Sequence, residues 1–185
     1  MPEQTQQRQD AFETHIRLKS IEALFNSLDP SPLVERDLDD TVEDYLVDCV
    51  RDAPSGAPLE LVLHLPDSSA DRVNGDAVGL SVAHYFSFLS DRQARRIRRL
   101  LREGRQAALV GILFLAGCTL GAQAMKGMYG GAMGALFAEG LLIIGWVANW
   151  RPVSIFLYEW RPMRQEMRIY DRLARLNVVL RRDAE

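Results

Sequence analysis

One carboxylate sits inside an apolar run: Glu139, in Leu136-Phe137-Ala138-Glu139-Gly140-Leu141-Leu142-Ile143-Ile144. An ionisable group at the centre of a membrane helix costs about 2.5–3.5 kcal/mol on insertion scales, which makes it a functional candidate by default. Two chemistries are open to it. Proton or cation handling needs a path of further polar groups, and the neighbouring apolar run offers only Thr119 and Gln123. A hydrogen bond across a helix interface, to Gln123, Thr119 or another subunit, needs a single partner. The scarcity of polar groups favours the hydrogen bond.

Arginine is the second chemical signal. Arg92, Arg95, Arg99 and Arg102 recur at i, i+3, i+7 and i+10, and Arg164, Arg168, Arg172 and Arg175 at i, i+4, i+8 and i+11. Each set occupies one face of a helix. Such stripes attract anionic lipid headgroups at about 1 kcal/mol per base. The chain's own acidic half is the second ligand expected for them. Nucleic acid is not expected, because that acidic half would repel it.

Other motifs argue against catalysis. Asp37-x-Asp39-x-Thr41 begins like a calcium loop, but Val42 stands where the loop needs glycine. Helix-start aspartates and a solvated face explain the acidic run from Glu35 to Asp48 better. His15, His64 and His84 lie far apart in sequence, and His64 and His84 read as core histidines. Cys49 and Cys118 belong to segments of different character and form no disulfide framework. With no phosphate loop, nucleophile elbow or paired cysteines, the expectation is a non-enzyme with no cofactor and no metal.

The elements that hold these residues are dominated by a hairpin. Ala107 to Met125 is 19 residues without a charge, and Ala132 to Trp150 another 19 broken only by Glu139. At 1.5 Å per residue each spans about 28 Å, close to the hydrocarbon thickness of a bilayer. The 126–131 connector is short, so the two helices are antiparallel neighbours, joined by an extracytoplasmic turn. Seven arginines between Arg92 and Arg105 and eight between Arg151 and Arg182 flank the pair, against Lys126 alone in the connector. The positive-inside rule then puts both termini in the cytoplasm. Gly117-x-x-x-Gly121 and Gly130-x-x-x-Gly134 have the spacing that lets membrane helices approach closely. Trp146, Trp150, Tyr158 and Trp160 suit the headgroup level.

Charge divides the chain. Residues 1–91 hold 18 acids and 6 bases, a net −12; residues 92–185 hold 7 acids and 16 bases, a net +9. Residues 1–12 read as a polar tail without a signal-peptide pattern, and 13–76 as an acidic cytoplasmic α/β module. Within the module we expect a short strand near Thr14, a helical piece over Ile21–Leu28, and a helix capped by Asp39 or Asp40 that runs to Asp52. Leu59–Leu65 is the best strand, and 66–76 is a loop. A helical stalk with the first arginine stripe covers 77–106. After the second span, 151–161 is an interfacial segment in which Trp-Arg-Pro occurs twice, and 162–185 is a cytoplasmic amphipathic helix. The small module leaves strand edges that invite self-association.

Ser27-Leu28-Asp29-Pro30-Ser31-Pro32, Arg36-Asp37-Leu38-Asp39, Leu63-His64-Leu65-Pro66 and Glu139-Gly140-Leu141-Leu142, followed by the Trp-Arg-Pro pair, resemble a group of uncharacterised bacterial two-span inner-membrane proteins. The resemblance implies a bacterial inner-membrane location and brings no activity or site residue with it. The expected fold is therefore a mainly α membrane protein, with a two-helix transmembrane hairpin, a small α/β N-terminal module and a C-terminal amphipathic helix. The expected role is a non-catalytic anchoring, scaffold or accessory subunit that binds anionic lipid and forms a homo-oligomer or joins a membrane-protein partner. An oligomeric channel or proton-coupled transport component using Glu139 is the alternative.

Overall fold

A computed structural model of the chain describes residues 11–32, 35–54, 56–66 and 74–183, with Asp183 described by its backbone alone. The polar tail before Ala11 and most of the 66–76 loop lie outside the described residues. Two compact units emerge, one from the residues up to Arg92 together with those from Glu166 on, the other from Gln93–Gln165.

The first unit is built on a three-stranded parallel sheet in the order β1-β2-β3: β1 is Phe12–Arg17, β2 Leu59–Pro66 and β3 Asn177–Asp183. The central position of β2 explains its composition. Flanked on both edges by β1 and β3, it buries Leu59 through Val62, Leu63 and Leu65, with Leu59, Leu61, Leu63 and Leu65 on the core face. Register sets Phe12, Thr14 and Ile16 beside Leu59, Leu61 and Leu63, with Val178 and Leu180 on the other flank. That face packs on three helices: α1 (Asp40–Asp52), the first turns of α2 (Gly75–Tyr129) and the end of α5 (Trp160–Leu173). Leu46, Val50, Val78, Val82, Phe86 and Leu173 supply the helical side of the core. Each fully buried aliphatic or aromatic side chain there contributes about 1.5–3 kcal/mol.

Local signals fix the helix start. Asp39 is extended, and its carboxylate accepts the Thr41 N–H at 2.9 Å, the bond that an N-cap makes. The helical piece expected over Ile21–Leu28 is a single 3-10 turn, Ile21–Leu24. An antiparallel bridge between Phe25 and Leu38 closes the loop that follows.

The largest difference from expectation is at the C-terminus. The amphipathic helix expected over 162–185 ends at Leu173, and the chain returns as β3. Val178 and Val179 favour an extended backbone, and pairing with β2 satisfies the amides that a helix would have used. The module therefore draws strands and helices from both sides of the hairpin in sequence, where residues 13–76 alone were expected to suffice.

In the second unit, α2 continues from the first unit without a break to Tyr129, so the segments expected as a stalk and a first span form one 55-residue helix. Helix α3 is Gly131–Ala148. Both α2 and the helical stretch from Gly131 on contain a window long and apolar enough to cross a membrane. The turn between them is tighter than the 126–131 connector. Gly130 and Gly131 have φ of 36° and 69°, a region that glycine enters without a Cβ clash, and the chain reverses there. Helix α3 breaks at Asn149, because Pro152 cannot give the Ala148 carbonyl its N–H. A short α4 (Trp150–Ser154) and a π-helical turn (Ile155–Glu159) lead into α5. The second Trp-Arg-Pro follows the π-helical turn directly, within continuous helix, and the first opens α4 with proline in the third position instead of the first. The N–H groups of a first turn need no helical partner, so proline is tolerated there.

Candidate functional site

The seam of the hairpin is lined by small residues. A Cβ on Gly145 would lie 2.9 Å from Leu115 Cδ1 and 3.1 Å from Cys118 Cβ; one on Gly121 would lie 2.8 Å from Leu141 Cδ2. At Gly134 the nearest atom is the Met125 carbonyl oxygen, 3.2 Å away. Ala122 and Ala138 are buried between the helices. Of the four glycines expected to pack helices, Gly121 and Gly134 lie at these close approaches. Gly117 meets nothing within 4 Å, and Gly130 makes the turn. The seam uses Gly104, Gly111 and Gly145 in addition. Gly104, Gly111, Cys118 and Met125 are seven residues apart, the repeat of a packed helix face, and that spacing was the available signal.

Asn149, which sequence reasoning passed over, is the polar clasp of this unit. Its Nδ2 donates to the Gly111 carbonyl at 3.0 Å and to the Gly145 carbonyl at 2.9 Å. The approach requires a glycine, since a Cβ at 111 would lie 2.6 Å from Asn149 Oδ1. Thr119 donates to the Leu115 carbonyl of its own helix at 2.8 Å. Gln123 and Glu139 are both exposed, and neither hydrogen-bonds to a described residue. Glu139 is therefore not joined to Gln123 or Thr119 within the hairpin. Trp146, Trp150 and Tyr158 are also exposed. Trp160 donates its indole N–H to the Phe156 carbonyl at 2.7 Å and lies under the Arg164 guanidinium.

The arginines of the two stripes are not alike in their surroundings. Arg92, Arg95, Arg99 and Arg102 are exposed along α2, as are Arg164 and Arg168 on α5 and Arg175 beyond it. Arg172 is different. Half-buried, it donates to the carbonyls of Val50 at 3.3 Å, Pro54 at 2.9 Å and Ala57 at 3.5 Å. It thereby satisfies carbonyl oxygens around the end of the acidic helix α1, where the helix dipole favours a cation.

In the first unit several polar side chains serve structure. Tyr85 donates to Glu43 at 2.5 Å, and burial first, then this carboxylate, push its hydroxyl well above the ordinary tyrosine range. Ser90 donates to Asp171 at 2.5 Å. Asp29 accepts the N–H groups of Ser31 and Asp37, and hydrogen bonding, led by the Ser31 side chain, lowers its carboxyl to about 2. His84 is exposed beside Tyr85 and Phe88 in a cleft of about 240 Å³ with Glu35, Arg36 and Asp37, not in the core. The parallel register also brings His15 and His64 together, Nδ1 to Nε2 at 3.1 Å, although they are far apart in sequence. No protein-family model, curated protein or solved structure matches the chain.

Proposed function

We propose that this chain is a non-catalytic membrane anchor: a scaffold or accessory subunit of the bacterial inner membrane that associates with itself or with a membrane complex. Segments 107–125 and 132–150 cross the bilayer, the turn at Gly130 lies outside, and both termini are cytoplasmic. The pairing of β2 with β3 carries the reading. One strand precedes the hairpin and the other follows it, so a sheet containing both requires the two ends of the hairpin on one side of the membrane. The arginine excess at those ends makes that side the cytoplasm. Broad exposure of Leu109, Ile112, Leu113, Leu136, Ile143 and Val147 fits a lipid surroundings. The exposed arginines draw anionic headgroups to the flanks.

The non-catalytic part of the reading is supported by how the module uses its reactive side chains. Asp39 caps a helix, Glu43 holds Tyr85, Asp171 holds Ser90 and Asp29 ties a loop. A reporter enzyme active only outside the cytoplasm tests the topology. Fused after Glu185 it is expected to be inactive, and inserted after Met128 active. The reverse pattern overturns the proposal.

A further inference from the structure

We propose that two copies of the chain pack through one lateral face of the hairpin, where Gln123 of each donates a hydrogen bond to Glu139 of the other. The inference rests on the membrane-spanning reading and deepens it by naming the interface.

The geometry follows from the seam. Ala122 and Ala138 are the buried residues at its middle, at 3% and 0% exposure. Gly121 opposite Leu141 on one side of them, and Gly134 opposite Met125 on the other, set them at closely similar depths. Gln123 and Glu139 are the residues immediately after these alanines, each about 100° further round its helix. Because α2 and α3 are antiparallel, the same rotation seen from opposite ends brings both side chains to the same side of the hairpin. They therefore share a face and a depth.

The neighbouring hydroxyl and amide side chains are already satisfied within the hairpin: Thr119 on Leu115, Asn149 on Gly111 and Gly145. Gln123 and Glu139 are exposed and bonded to no described residue. In hydrocarbon no water completes their hydrogen bonding, so each needs a protein partner. A second copy supplies both. A two-fold axis along the membrane normal keeps depth constant and sets α2 of one copy against α3 of the other. Gln123 then meets Glu139 twice, amide N–H to carboxyl oxygen, in an isologous contact. Exposed Ala116 and Ala135, one to two turns away on the same face, let the backbones approach.

The test is sedimentation equilibrium of the full chain in mild detergent, with carbonate extraction of membranes as a prior check. Wild type is expected to resist extraction and to be dimeric. Glu139→Leu and Gln123→Leu are each expected to weaken dimerisation about tenfold, the double variant no more than about the singles, since each removes the same pair of interhelical bonds. Glu139→Gln keeps an acceptor and is expected to dimerise like wild type. Phe137→Leu, exposed on the opposite side of Ala138, is the control and is also expected to be unchanged. A chain that carbonate extracts loses the membrane reading itself. A chain that resists extraction but is monomeric, or dimerises equally with either leucine variant, overturns the interface alone. Weakening by Glu139→Gln as severe as by Glu139→Leu also overturns it.

Discussion

Gly145→Cys is the substitution that probes the hairpin most directly, because its partner is already in place. Cys118 is buried at the seam, and a Cβ at 145 would lie 3.1 Å from its Cβ and 3.4 Å from its Sγ. A disulfide needs a Cβ–Cβ separation of about 3.5–4.5 Å. The two helices must therefore part by roughly half an ångström, within the strain of about 1–3 kcal/mol that an overpacked core absorbs. Once formed, the bond closes the 118–145 loop, which the chain-entropy model values at ~3–4 kcal/mol. The gain is smaller where the unfolded hairpin is already confined. With Cys49→Ser removing the other thiol, mild oxidation is expected to give an intrachain link, read as a faster non-reducing gel band and a cross-linked peptide by mass spectrometry. The same chain with Gly140→Cys, at a position with nothing within 4 Å, is expected to remain reduced or to link only between chains. Equal intrachain linkage from both positions, or none from Gly145→Cys, refutes the seam.

Two further outcomes concern the module. Arg172→Met is expected to destabilise it by about 2 kcal/mol, since charge-assisted hydrogen bonds and a helix C-terminus both lose their cation. Hydrogen exchange of the β2 amides in the full chain measures this, and unchanged protection would deny Arg172 its capping role. Asp29 has a carboxyl lowered to about 2 by the N–H and hydroxyl groups around it. Its contribution to folding is thus complete above the unfolded carboxylate range near pH 4 and is lost as pH falls toward 2. Carboxyl titration by NMR checks it, and a midpoint near 4 would contradict the loop geometry.

Much of this architecture is written in local pattern. The uncharged runs from Ala107 and Ala132 define the hairpin helices by length and composition, and Asp39 announces the start of α1 through the chemistry of a cap. Leu59–Leu65 reads as a buried strand because alternating and continuous apolar residues both survive in it. What the sequence could not reveal depends on residues brought together from far away. Asn177–Asp183 has the valines of a strand, but whether it extends from α5 or pairs with β2 is settled by an edge that lies more than a hundred residues earlier. Arg172 looks like one more member of an arginine stripe until the end of α1 is beside it. Asn149 is an ordinary polar residue at a helix end until Gly111 presents an open carbonyl. The same holds for Glu139. Sequence alone marks it as the one acid in an apolar helix, since charge and depth are local properties. Only the seam, which turns Ala138 inward, decides that Glu139 faces away from its own hairpin, because facing is a property of two packed helices and not of one.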